Sequence, residues 1–221
     1  MSTLVLRCGD VPVPIALASL ELITTQSIPT MEEIDQFTPL LDATTQPRLI
    51  VLGSDGALAA VLTGFMRSER LHVEIGYVPT DKSPASRIYK TGTGSAAATK
   101  VLEGKATPMP LIRDDTGTVL VGAAVIAGQG GSTLEGEAYV DDDRMFSGVA
   151  AAVHVAPTAG LPGLRSYVDR GRTLRTKRWL SGRAMQLGTP GAIVTRDGVR
   201  SHRVVTRSTF YRHSDEWLLV V

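Results

Sequence analysis

The chain has 221 residues, 43% of them hydrophobic, 20% charged and 5% aromatic. That is the balance of a globular protein with one large domain or two small ones. Its single cysteine, Cys8, excludes an intrachain disulfide and argues against a structural metal site, and there is no 18-residue apolar run to form a spanning helix. The net charge of +1 hides an asymmetry: residues 165–212 carry twelve Lys/Arg and two acids, while residues 1–164 carry eleven and eighteen. Such a basic segment suits an anionic partner, either phosphate or acidic lipid headgroups, and equally suits a solvated Arg-rich strand surface. With few aromatics interleaved, nucleic acid ranks below the other two.

In chain order, the start lacks a basic n-region, and Arg7, Asp10 and two prolines interrupt its apolar segments, so no signal peptide is expected. The expected setting is cytoplasmic, with the basic segment allowing peripheral association with a membrane. Residues 3–7 and 15–24 are apolar but ambiguous between strand and helix. Residues 30–41 predict a helix in which Thr30 caps the N-terminus and Glu33 completes a capping box. The continuous apolar run 47–53 predicts a buried parallel strand, 57–70 a helix, and 71–79 a second strand ending at Pro79. Together they form a β-α-β unit. Ser83 and Pro84 open a further helix. "TGTG" at 91–94 breaks it, and Ser95 starts another that stops at Gly104.

From residue 107 onward strand-like runs alternate with turn signals such as Asp141-Asp142-Asp143 and Asp197-Gly198. These predict antiparallel hairpins in a sandwich or barrel. The expected organisation is an α/β domain over 1–106 and a β-domain over 107–221. An exposed strand edge in the latter would allow a homodimer, and Trp179 and Trp217 are expected to fill its core.

The turn "GSDG" at 53–56 joins a buried strand to a helix. A helix N-terminus offers unpaired amides and partial positive charge, and glycines let a phosphate approach the backbone. Gly53, Ser54, Asp55 and Gly56 are therefore candidate nucleotide-binding residues, with Asp55 able to help hold a nucleotide-borne Mg²⁺. The pattern is neither a Walker A motif nor G-x-G-x-x-G, and most such turns bind nothing. No G-x-S-x-G occurs, and His72, His154, His202 and His213 are scattered, so nucleophilic Ser-His catalysis has no support. "VDDDRMF" at 140–146 reads as a polar hairpin turn more readily than as a cation loop.

The order "LIVLGSDGALAAVLTGFM", "LHVEIGYVP", "SPASRIYKTGTGSAAATKVLEGKATPMPLIR" resembles the catalytic domain of diacylglycerol kinases and related lipid kinases over residues 47–126. That family's signature is a strand ending in Gly-Gly-Asp-Gly-Thr, then a helix, a strand ending in Pro, and a Gly-Thr-x-Asn loop. The resemblance implies a phosphofructokinase/NAD-kinase-like α/β domain followed by a β-sandwich, with ATP and Mg²⁺ between them. It also makes Asp197, in "AIVTRDGV", the counterpart of an acidic element acting at the lipid hydroxyl. The chain departs from the signature at Ser54, Ala57 and Val199, and after Pro79 it reads "TDKSPAS"; a "GTGS" occurs only at 92–95. Phosphoryl transfer relies on positioned charge, and losing one such group commonly costs about 10²–10³ in rate. The expectation is therefore a diacylglycerol-kinase-like protein with a degenerate nucleotide site, weakly active or serving as a binding and regulatory module. The alternative is an active lipid kinase acting on a diacylglycerol- or sphingosine-type hydroxyl.

Overall fold

The structure, a computed structural model, describes residues 2–171 and 177–221. Arg172 and Arg175 of the basic segment lie outside the described residues. The chain divides into two compact units, Met1–Met109 with Asp215–Val221, and Pro110–Ser214.

The first unit contains β1 (Ser2–Cys8), β2 (Glu21–Thr25), α1 (Met31–Asp42), β3 (Pro47–Leu52), α2 (Asp55–Arg67), β4 (Glu74–Val78), α3 (Pro84–Tyr89) and α4 (Gly94–Glu103). The ambiguous 15–24 stretch divides into a 3-10 turn at Ile15–Leu17 and the strand β2. Thr30 caps α1 through its side chain, and Glu33 returns the bond to the Thr30 amide, completing the capping box. The strands run parallel in the order β2-β1-β3-β4. Every residue of β3 is buried, which is why its sequence reads as an unbroken apolar run. Ile50 and Leu52 face Leu17 and the Ala97, Ala98 and Val101 stripe of α4. The opposite face takes α1 and α2, with Phe37 edge-on to Phe65 at 6.5 Å. Arg48, 6% exposed, fastens the start of β3 to the end of α4. It pairs with Glu74 at 2.6 Å and donates to the carbonyls of Val101 at 2.9 Å and Gly104 at 3.3 Å. A cation there also complements the helix C-terminus.

The chain enters the second unit along β5 (Ala106–Asp114). It continues through β6 (Val119–Leu120), β7 (Ala124–Gly128), β8 (Leu134–Val140), β9 (Asp143–Ala150), β10 (Ala152–Pro157), β11 (Leu164–Asp169), β12 (Leu180–Gly182), β13 (Ala184–Arg196) and β14 (Val199–Arg200). It returns along β15 (Val205–Val220). Within this unit strands β12-β11-β10-β7-β13 and β13-β8-β9 pair antiparallel. Inward residues such as Leu134, Phe146, Val153, Leu164, Met185 and Phe210 form its core.

The two tryptophans do not share that core. Trp217 belongs to the first unit, because the end of β15 pairs parallel to β4 through Leu218 and Leu219. There it packs edge-on against Tyr89 at 5.3 Å. Trp179 is half-buried ahead of β12.

Candidate nucleotide site

The connections leaving β1 and β3 go to opposite faces of the first unit's sheet. After β1 the chain passes over the Leu17 face, and after β3 it forms α2 on the other. Strand order reverses between these neighbours, and ligand crevices of open α/β sheets form at that point, outside the carboxyl ends of the strands.

Gly53 ends β3 in close packing. A Cβ there would lie 2.9 Å from the Cys8 Cβ and 3.3 Å from the Ala57 Cβ, so the glycine is required for the approach of strand and helix. Ser54 is exposed and caps α2, its Oγ accepting from the Ala57 amide at 3.2 Å. The helix therefore starts at Asp55, two residues before the sequence pattern suggests. Gly56 is buried in its first turn.

Asp55 is 6% exposed. One carboxylate oxygen accepts from the Tyr77 hydroxyl at 2.7 Å and the other from the Ala85 amide at 3.0 Å. The acid thus ties the start of α2 to β4 and to α3. Tyr77 and Ala85 are not singled out by sequence reasoning. The only local signal for α3 is Ser83-Pro84, which does form a capping box with Ser86.

The 92–95 "GTGS" returns to the same sheet edge. The Gly53 amide donates to the Val78 carbonyl at 3.3 Å, and the Gly94 amide donates to the Pro79 carbonyl at 2.8 Å. Helices α2 and α4 therefore both begin at the carboxyl ends of adjacent strands. Gly92 and Gly94 hold φ of 81° and 52°. A Cβ on Gly94 would meet nothing within 4 Å, so the loop borders open space. Ser54, Gly92 and Ser95 are exposed, and Thr93, the α4 cap residue, makes no side-chain cap bond. Two helix N-termini with nearby hydroxyls fit the phosphates of a nucleotide. The fit does not extend to a protein-held metal. Among the described residues no group of three or more His, Cys, Asp and Glu could hold one.

Asp197 lies in the second unit, in the two-residue turn between β13 and β14, where it and Gly198 take φ of 47° and 82°. Its Oδ1 accepts from the amides of Gly122 at 2.7 Å and Ala123 at 3.0 Å, and its Oδ2 from Val121 at 3.0 Å. Its own amide donates to the Ala123 carbonyl at 2.9 Å. Beside it, Arg196 forms an ion pair with Asp114, which is fully buried. Asp114 also receives the amides of Thr116 and Thr118, each at 2.9 Å. Asp141 behaves similarly: its carboxylate accepts from the amides of Arg183 at 3.0 Å and Ala184 at 2.9 Å. The 141–143 acids thus form a structured hairpin turn.

No protein-family model matches the sequence, and no curated protein matches it. Solved structures do match over nearly the whole chain. A diacylglycerol kinase from Bacillus anthracis str. Sterne aligns with a TM-score of 0.76 at 13% identity, covering 99% of this chain and 96% of that one. An NAD kinase from Archaeoglobus fulgidus in complex with ATP aligns with a TM-score of 0.65 at 13% identity, covering 100% and 94%. The chain has the fold shared by diacylglycerol kinases and NAD kinases.

Proposed function

We propose that this chain, an α/β unit followed by a β-sandwich, binds nucleotide phosphates at the carboxyl edge of β3 and β4, and that it is a regulatory relative of the lipid kinases with little phosphoryl-transfer capacity. One observation carries this reading. Both candidate acids direct their oxygens into protein donors, Asp55 to Tyr77 and Ala85, and Asp197 to Val121, Gly122 and Ala123. Bound ATP would supply the phosphoryl group and carry its Mg²⁺. The residues here offer helix N-termini, glycine clearance and the hydroxyls of Ser54, Thr93 and Ser95 to its phosphates. Transfer to a lipid hydroxyl further needs a bridging metal and a base.

The second reading, an ATP- and Mg²⁺-dependent kinase for a diacylglycerol- or sphingosine-type hydroxyl, draws on the similarity to a diacylglycerol kinase and to an ATP-bound NAD kinase. Thermal shifts with ATP and ADP, each with and without Mg²⁺, separate the two when paired with labelled-ATP assays on diacylglycerol micelles. The expected result is a nucleotide-dependent rise in Tm that Gly94→Asp removes by placing a negative charge where phosphate would sit. No shift with any nucleotide would refute binding. Turnover of about 1 s⁻¹ or more, within the ordinary kinase range, would establish the second reading instead.

A further inference from the structure

On the outer face of the β10-β11-β12 sheet, three aromatic rings form a ladder interleaved with cations. His154 and Tyr167, directly paired across β10 and β11, stack with centroids 4.4 Å apart and planes 4° from parallel. Trp179 meets the Tyr167 ring edge-on at 4.5 Å. The Arg165 guanidinium lies 4.4 Å over Trp179, and the Lys177 ammonium 4.9 Å over Tyr167. Arg170, Lys177 and Arg178, in the chain segments next to Asp169 and Trp179, are exposed. Asp169 is the acid on this face, 3.9 Å from His154 and accepting from the Gly171 amide at 2.8 Å. Among the described residues of 165–183 there are five Lys/Arg (Arg165, Arg170, Lys177, Arg178 and Arg183) and that single acid.

We propose that this face is a docking surface for an anionic bilayer. Its chemistry is an amphipathic indole, half-buried at the protein surface and ringed by cations on flexible stems. Tryptophan favours the headgroup region, where its ring is sheltered while its N–H stays wet. Basic residues near an anionic surface each strengthen association about fivefold. A nucleic-acid strand would instead need open ring faces on which bases could stack. Here His154 and Lys177 occupy Tyr167, and Arg165 occupies Trp179. The basic residues suit any polyanion, and the covered ring faces select a lipid surface over RNA or single-stranded DNA. The proposal is independent of nucleotide binding, since every residue in it lies in the second unit.

The test is co-sedimentation of the full chain with phosphatidylcholine vesicles and with equimolar phosphatidylcholine–phosphatidylglycerol vesicles, alongside retention on poly(U). Trp217 is 1% exposed, so a vesicle-induced blue shift in emission reports on Trp179. The expected outcome is binding to the anionic vesicles alone, weakened by salt, with a blue shift that disappears in Trp179→Phe. Arg170→Glu with Arg178→Glu, both on exposed side chains, lowers partitioning at least about 25-fold, fivefold for each lost charge, while leaving the melting curve unchanged. Equal binding to neutral vesicles would overturn the proposal, as would anionic binding indifferent to these reversals. Poly(U) retention lost in the double variant, without vesicle binding, would make the face a nucleic-acid surface.

Discussion

Replacing Asp55 separates its structural role from any role at a nucleotide. Asp55→Ala removes the carboxylate that accepts from the Tyr77 hydroxyl and the Ala85 amide. Tyr77 and Ala85 are both fully buried, so water cannot readily substitute. Losing the Asp55 acceptor costs about 1–3 kcal/mol at the Ala85 amide, with a further loss at the Tyr77 hydroxyl. A protein of this size loses about 2–4 °C of Tm per kcal/mol. Asp55→Asn behaves differently. Its Oδ1 still accepts from Ala85, and its Nδ2 can donate to the Tyr77 oxygen once the hydroxyl proton turns away, so the Ala85 bond is kept and the destabilisation is smaller, about 1–2 kcal/mol. Urea denaturation followed through Trp217 emission, in a Trp179→Phe background, reads the first unit directly. Alanine and asparagine variants of equal stability would refute the hydrogen-bond assignment. Asparagine that keeps stability yet loses only the Mg²⁺-dependent part of a nucleotide shift would show that Asp55 also serves the metal.

Three further outcomes follow from particular contacts. Gly76→Ala would put a Cβ 2.8 Å from the Val101 Cβ and 3.2 Å from the Ile50 Cγ1, so α4 must move, at about 1–3 kcal/mol measured by the same denaturation. Asp197→Ala strands the amides of Val121, Gly122 and Ala123 and lowers the second unit's stability by about 2–4 kcal/mol, read through Trp179 emission in a Trp217→Phe background. Asp197→Asn keeps Oδ1 for two of them and loses less. Burial pushes the Cys8 thiol from 9.0 up to about 11. The folded state then holds its proton where the unfolded chain has released it, so stability falls as pH rises from 9 towards 11, by about 1.4 kcal/mol per unit at most. Cys8→Ala should flatten that limb of the stability–pH curve.

Where the elements are set by local chemistry, the sequence is legible. Thr30 and Glu33 mark α1 because their side chains satisfy amides only three residues apart. The 47–52 run marks β3 because both of its faces are buried. Asp197-Gly198 marks a hairpin because both positions need positive φ. Long-range pairing is not legible in this way. Trp217 reads as part of the β-domain because it sits in a strand-like run after that domain. The parallel pairing of Leu218 and Leu219 with Glu74 and Ile75 carries it to the first unit. The partners of Asp55 are hidden for the same reason: Tyr77 and Ala85 lie 22 and 30 residues away.

Helix α3 connects the shifted glycine loop with the inward position of Asp55. It occupies the sequence between β4 and the 92–95 loop, so spacing alone places "GTGS" too far from Pro79. In space α3 is a detour, since the Gly94 amide returns to the Pro79 carbonyl. The detour has to be anchored, and the Ala85 amide docks on Asp55 for that purpose. Helix α3 thus both lengthens the chain path to the glycine loop and supplies a donor to Asp55. A chain without α3 would free a carboxylate oxygen at the start of α2 while keeping the loop at the same edge. The proposed phosphate contacts at 92–95 therefore do not depend on a free Asp55 carboxylate.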